Sequence, residues 1–284
     1  MRLGAHVSTA GGLEKAVDRA LAMGAEAIQV FGSSPQSWAF REVPEAQVEA
    51  FREKLTTSGV HPVFLHAIYL VNLGSPAAEN LSKSVQALVN YTVLAGRIGA
   101  RGVIFHAGSH RGAGYEGIFK QTVQAIESVL AASPAGVELL MENSAGMGQH
   151  IGSRFQEIGQ IIKAVGSERL KVCLDTEHAF AAGYNVADRQ GIQEAMAEFD
   201  REIGLDRLVA VHANDAKVPL GSGVDRHENI GEGHIGEAGF EVIMAHPAFR
   251  DVPFLLEVPG VDGGGPDKPN LDRLKAIRAR LSRL

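Results

Sequence analysis

The chain of 284 residues is 45% hydrophobic and 21% charged, ample for the buried core of one large α/β domain or two small ones. Its formal charge of −6, from 27 Lys+Arg against 33 Asp+Glu, argues on its own against a nonspecific nucleic-acid binder, although three bound divalent cations would cancel it. A single cysteine rules out an intrachain disulfide. With neither a secretory leader nor an apolar run long enough to cross a bilayer, a cytoplasmic protein is expected.

The first strand-like run, near residues 2–6, ends at His6, and helical spacing follows from Leu13 to Met23. A second run near 26–32 precedes a helix over Ala46–Leu55. A third near 60–66 closes on Val63-Phe64-Leu65-His66 and precedes Leu81–Ile98. The fourth, near 102–107, holds Val103-Ile104-Phe105-His106 and leads to Phe119–Ala131. The fifth, near 136–143, holds Leu139-Leu140-Met141-Glu142 and leads to Phe155–Val165. The sixth, near 170–175, ends in Val172-Cys173-Leu174-Asp175, with helical spacing resuming over Ile192–Ile203. The seventh, near 208–214, holds Val209-Ala210-Val211-His212, and a short Phe240–Met244 pattern follows. The eighth, near 253–258, holds Phe254-Leu255-Leu256-Glu257, and Asn270–Leu284 closes the chain. Strands alternating with helices imply a parallel sheet with crossover helices. Eight such units predict one α/β domain over 1–284, a (β/α)8 TIM barrel, in preference to an open doubly wound sheet. The Gly- and Pro-rich segments 221–236 and 258–268 follow the seventh and eighth strands and read as active-site loops.

Six strands thus end in a metal-type ligand: His66, His106, Glu142, Asp175, His212 and Glu257. Residues i and i+2 of a strand face the same side, so an inward terminal ligand requires an inward apolar residue two places earlier. Those residues are Phe64, Ile104, Leu140, Cys173, Ala210 and Leu255, all apolar or small. The alternate positions are apolar as well, as strands covered on both faces require. A carboxylate ending such a run is costly without a partner, and a metal is one of few compensations. The donors are nitrogen and oxygen without thiolate, which suits Zn²⁺, Mn²⁺ or Fe²⁺. Six ligands exceed what one catalytic zinc takes, so two ions sharing a carboxylate fit the count. Asp225-x-His227, with His178 on the loop leaving the sixth strand, offers a third site. A hydrogen-bonded core histidine is the plain alternative for any one of these residues, but it is a poor account of all of them together. His6 reads as pocket lining or core, Cys173 as barrel packing, and His61, His150 and His246 as ordinary loop or helix-end residues. Trp38, Tyr69 and Leu70 read by default as a packed loop, or else as an apolar wedge at the mouth. Asn214-Asp215-Ala216-Lys217 suggests a contact to an anionic substrate, or else a turn.

Several segments give a resemblance that runs nearly end to end. They are GAHVS at 4–8, FHAGSH at 105–110, MENSAG at 141–146, LDTEHAFAAGY at 174–184, HANDAK at 212–217, VDRHENIGEG at 224–233 and LLEVPG at 255–260. The chain resembles endonuclease IV, the zinc-dependent apurinic/apyrimidinic endonuclease family. The resemblance implies three ions per chain. His66, His106 and Glu142 would hold the first. Glu142, Asp175, His212 and Glu257 would hold the second, with Glu142 bridging. His178, Asp225 and His227 would hold the third. It further implies a monomer that hydrolyses the phosphodiester 5′ to an abasic site in double-stranded DNA, leaving a 3′-hydroxyl and a 5′-deoxyribose phosphate, and that clears blocked 3′ termini. Such a protein would associate with the nucleoid through its DNA. Glu142 would position the nucleophile, and Glu257 would assist proton transfer. The family's DNA-penetrating side chains map to Gln36, Tyr69 and Leu70. Gln36 departs from a familiar Arg, Ala67 from a familiar Asp and Glu177 from a familiar Cys. The strongest rival is a metal-dependent sugar isomerase or epimerase on a related barrel, for which a third site is superfluous. A catalytically silent DNA-damage binder is the rival from another class.

Overall fold

The computed structural model describes residues 1–282. Eight parallel strands close into a barrel in the order β1 (Leu3–His6), β2 (Ala27–Phe31), β3 (Val63–His66), β4 (Gly102–Phe105), β5 (Glu138–Glu142), β6 (Leu170–Asp175), β7 (Leu208–His212) and β10 (Phe254–Leu256), which pairs back onto β1. The crossovers are α1 (Lys15–Met23), α2 (Glu45–Ser58), α3 (Ala78–Ile98), α4 (Tyr115–Ala132), α5 (Phe155–Val165), α7 (Arg189–Glu202) and α8 (Gly236–Ala245), and α9 (Lys268–Leu281) follows the last strand. The helix expected over Asn270–Leu284 is present as α9, and residues 283–284 lie outside the described residues.

The alternation along each strand sorts side chains into two cores. Phe64, Ile104, Leu140, Cys173, Ala210 and Leu255 meet inside the barrel with Ala27 and Val209. Their neighbours Leu65, Phe105, Met141, Leu174, Val211 and Leu256 pack outward, beneath the helices. Helix α5 shows why the outer layer forms. Phe155, Ile158, Ile161 and Ile162 recur at helical spacing and are buried, and Gly166 (φ 64°) ends the helix in the left-handed conformation that its missing Cβ permits. Strand β1 needs a glycine for another reason: a Cβ at Gly4 would stand 1.9 Å from the Ala27 carbonyl oxygen. At the bottom of the barrel, Arg278 of α9 donates to both carboxylate oxygens of Glu26 at 2.6 and 2.7 Å, and Glu26 also accepts from the Leu3 amide.

Two elements depart from the sequence reading, and both lie at the C-terminal face. The segment after Asp175 is a seven-residue helix, α6 (Thr176–Ala182), and not a loop. It starts because the Asp175 side chain accepts a hydrogen bond from the His178 amide at 2.9 Å. The segment 221–236 carries β9 (His227–Glu228), paired antiparallel with β8 (Asp215–Ala216). Asp215 is fully buried and accepts from the amides of Ala216, Gly231, Gly233, Ile235 and Gly236. Among the described residues no helix is long and apolar enough to cross a membrane.

Candidate metal centre

The barrel delivers its six strand-end groups to one rim. His66, Glu142, Asp175 and His212 are the last residues of β3, β5, β6 and β7, while His106 and Glu257 follow β4 and β10 by one residue. Potential ligand atoms of His66, His106 and Glu142 lie within 4.8 Å of one another, as do those of Glu142, Asp175, His212 and Glu257. A third group joins Asp175, Glu177, His178 and His227 by the same measure. Asp225 completes it, with Oδ2 3.3 Å from His178 Nε2 and Oδ1 3.4 Å from His227 Nε2. Glu142 joins the first two groups by facing them with different oxygens. Its Oε2 lies 3.2 Å from His66 Nε2 and 3.4 Å from His106 Nε2, and its Oε1 lies 3.0 Å from His212 Nδ1.

The histidines are oriented by their far nitrogens. His66 Nδ1 donates to the Ala67 carbonyl at 2.7 Å, His178 Nδ1 to the Asn143 carbonyl at 3.0 Å and His227 Nδ1 to the Glu257 carbonyl at 3.2 Å. His212 Nε2 donates to Gln29 Oε1 at 2.8 Å. A carbonyl oxygen only accepts, so each of these nitrogens carries the ring proton, and the opposite nitrogen turns a lone pair toward the carboxylates. A lone pair facing a carboxylate oxygen repels it unless a second proton or a metal ion stands between them. His227 Nε2 and Glu177 Oε2 are buried and have no hydrogen-bond partner among the described residues.

The charges tell the same story. Burial disfavours a positive His178 or His212, but surrounding acidic groups outweigh it and hold both pKa values well above the ordinary range, so without a metal ion a second proton would stand between ring and carboxylate. Burial pulls the Glu142 carboxyl up, yet His106 and His212 hold it well below the usual carboxylate value. The Asp225 carboxyl is likewise raised by burial and then lowered by His178, to about 2. Five carboxylates (Glu142, Asp175, Glu177, Asp225 and Glu257) thus gather around imidazoles at a rim that calls for positive charge. Nitrogen and oxygen donors without thiolate, two of them orphaned, fit divalent ions of the zinc, manganese or iron kind.

Polar residues behind the ligands fix their positions. The Gln29 amide donates to Glu257 Oε1 at 2.5 Å and to His6 Nδ1 at 2.9 Å, while its oxygen receives His212. Asn143 accepts from the Asp175 amide at 2.7 Å and donates to its carbonyl at 3.1 Å. Asn214 donates to Asp175 Oδ2 at 2.7 Å and accepts from the Glu257 amide at 2.9 Å.

The sequence model of a family described as xylose isomerase-like TIM barrel matches residues 17–281. A probable endonuclease 4 of Halothermothrix orenii is 42% identical over 94% of this chain and 96% of its own length. The crystal structure of endonuclease IV from Thermus thermophilus superposes with a TM-score of 0.85 at 38% identity, covering 100% of both chains. This chain belongs to the endonuclease IV family. A D-tagatose 3-epimerase-like protein also superposes, with a TM-score of 0.76 at 17% identity over 100% of this chain and 99% of its own, and shares the fold alone.

Endonuclease IV membership frames the remaining residues. The nine residues expected from the sequence to face a metal converge on the rim, and His6 stands behind them, 3.3 Å from Glu257 Oε1. Ala67 leaves His66 oriented, because the bond is to the main-chain carbonyl of residue 67. Tyr69 is 58% exposed, Gln36 is exposed and Leu70 is half-buried. The Tyr69 amide donates to the Pro35 carbonyl at 3.0 Å, which ties the two segments together. Trp38, Tyr69 and Leu70 line a cleft of about 310 Å³ that reaches His106, His178 and Asp225, with Arg111 and His150 on its wall. His150 therefore belongs to the mouth, whereas His246 caps a short helical turn as expected. Asn214, Asp215 and Ala216 are buried, and of the run 214–217 only Lys217 is exposed. The Asn214 side chain holds Asp175 and Glu257, and the Asp215 side chain holds the 231–236 loop. Gln29, Asn143 and Arg111 escaped the sequence reading. Gln29 alone had a visible signal, as the one polar residue within Ala27–Phe31.

Proposed function

We propose that the protein is a metal-dependent endonuclease of DNA repair that hydrolyses the phosphodiester 5′ to an abasic site in double-stranded DNA. It leaves a 3′-hydroxyl and a 5′-deoxyribose phosphate and also clears blocked 3′ termini. The observation that carries this reading is the division of Glu142 between two groups of imidazoles and carboxylates, with a third group alongside. We assign three ions per chain, Zn²⁺ foremost, with Mn²⁺ or Fe²⁺ able to occupy some sites. His66, His106 and Glu142 hold the first, Glu142, Asp175, His212 and Glu257 the second, and His178, Asp225 and His227 the third. Ions held there supply Lewis acidity that makes water nucleophilic at neutral pH and offsets charge on a phosphate.

The chain's own residues do the rest. Glu142 fixes the spacing between the first two groups and so positions the nucleophile. Glu257 is the residue placed for proton transfer. Gln29 holds its Oε1, and its Oε2 faces His212 Nδ1 at 3.2 Å. Tyr69, Leu70 and Gln36 stand at the mouth to enter the duplex where a base is missing. An abasic nucleotide has no base to unstack, so turning it into the cleft costs less than the few kcal/mol typical of an intact nucleotide. Residues 1–284 act as one catalytic unit, a monomer that reaches its DNA in the cytoplasm. The third group disfavours a sugar isomerase or epimerase, whose chemistry needs no third ion.

The test combines a metal count on the purified protein with cleavage of an abasic-site duplex before and after chelation, alongside ketose substrates. Three ions and chelator-sensitive incision 5′ to the lesion are expected. Ketose conversion without incision would overturn the assignment, and so would incision that survives complete metal removal.

A further inference from the structure

We propose that Glu177 is a fourth protein ligand of the third ion, so that this site binds through two imidazoles and two carboxylates. The inference rests on the three-ion reading above and concerns a residue outside the nine assigned ligands. Glu177 is the second residue of α6, directly before His178, and is fully buried. Its two oxygens differ. Oε1 accepts from the Arg226 amide at 3.0 Å, which fastens the carboxylate to the segment carrying Asp225 and His227. Oε2 has no hydrogen-bond partner and lies 4.0 Å from His178 Nε2. His227 Nε2 is the other unpartnered atom of this group, and a Glu177 oxygen falls within 4.8 Å of ligand atoms of Asp175, His178 and His227. A buried carboxyl oxygen and a buried imidazole nitrogen, both without a partner among the described residues and both at one locus, make a place for a cation between them.

Charge and donor type say what the extra ligand does. An imidazole that binds a metal through its lone pair contributes no charge, so Asp225 alone would give the third site a charge of −1, half of what a divalent ion carries. Glu177 brings the site into balance. A second carboxylate also moves the donor set from imidazole-rich, which suits zinc, toward oxygen-rich, which suits manganese. The third site of this chain should therefore bind Mn²⁺ in closer competition with Zn²⁺ than three ligands would allow.

The plain alternative is that Glu177 only clamps Arg226. Glu177→Gln separates the two roles, because the amide oxygen can still receive the Arg226 amide while the other position loses its charge and its ligating oxygen. Metal-free wild type and variant are titrated with Mn²⁺ alone and with Zn²⁺ alone. Bound metal is counted by elemental analysis after equilibrium dialysis, and free Mn²⁺ is followed by electron paramagnetic resonance. Wild type should take up three ions. The variant should bind one of the three about 10- to 100-fold more weakly, with a larger loss for Mn²⁺ than for Zn²⁺ and the other two unchanged. Three ions at wild-type affinities in the variant would leave the three-ion reading standing and overturn the role of Glu177. Only two ions in wild type would overturn both. If the Gln variant fails to fold, Glu177→Asp, which withdraws the oxygens by one methylene, is judged by the same criteria.

Discussion

Replacing Gln29 with leucine probes the centre through a residue that touches no ion. The side chains are similar in size, and Gln29 is fully buried, so the barrel keeps its shape while three polar contacts vanish, the one to His6 Nδ1 among them. His212 Nε2 loses the oxygen it donates to at 2.8 Å, and Glu257 Oε1 loses a donor at 2.5 Å. A buried group left unsatisfied costs about 1–3 kcal/mol. That cost falls on the metal-loaded form, since an unpinned His212 can rotate its lone pair away from Glu142 and Glu257. At roughly 1.4 kcal/mol per tenfold, the ion held by Glu142, Asp175, His212 and Glu257 should bind about 5- to 150-fold more weakly. The assay is competition with a chromophoric chelator, with the melting temperature of the metal-free protein as a control for folding. Wild-type affinity in a folded Gln29→Leu protein would show that His212 needs no orientation from behind, and the argument from ring tautomers would fail.

The barrel interior makes a simpler prediction. Phe64 is fully buried at its centre, so Phe64→Ala should cost about 3–5 kcal/mol in a denaturant titration of the metal-free chain. Asp215→Ala removes the acceptor of five buried or half-buried amides, and hydrogen exchange should show the 231–236 segment losing protection while the strands keep theirs. The Glu26–Arg278 clamp sets part of the acid limit. The Arg278 guanidinium outweighs partial burial and holds the Glu26 carboxyl below its ordinary value of 4.5. A lowered folded-state pKa contributes stability that is full above the unfolded pKa and fades as pH falls through the folded one. Glu26→Gln should therefore lower the melting temperature at neutral pH, and its deficit relative to wild type should shrink as the buffer is taken below about pH 4.5. A deficit that stays constant with pH would show that the clamp works by packing alone.

Much of the centre was legible because a barrel strand writes its environment into a period of two. Apolar residues at i−2 and a polar one at i, repeated over strands three to eight, place the polar group at the mouth, and Phe64 with His66 or Leu140 with Glu142 needed nothing more. What escaped had no such repetition. Helix α6 is too short to show a period, and its start depends on Asp175 acting as a cap, which an isolated Asp-Thr-Glu-His cannot reveal. The direction of the Glu177 side chain follows only once that helix exists. Asn214-Asp215-Ala216-Lys217 could be read as a substrate contact or as a turn, because a polar run after a strand looks the same whether its partners are solvent, amides or neighbouring ligands. Gln29 sat in plain view on β2, but one polar residue in one strand carries little weight until its neighbours are known.

The carbonyls that aim His178 and His227 belong to Asn143 and Glu257, main-chain atoms at the ends of β5 and β10. Their positions are set by the sheet and owe nothing to the segments that carry those two imidazoles. Changes in either segment can therefore alter how its imidazole arrives without altering where the ring must aim.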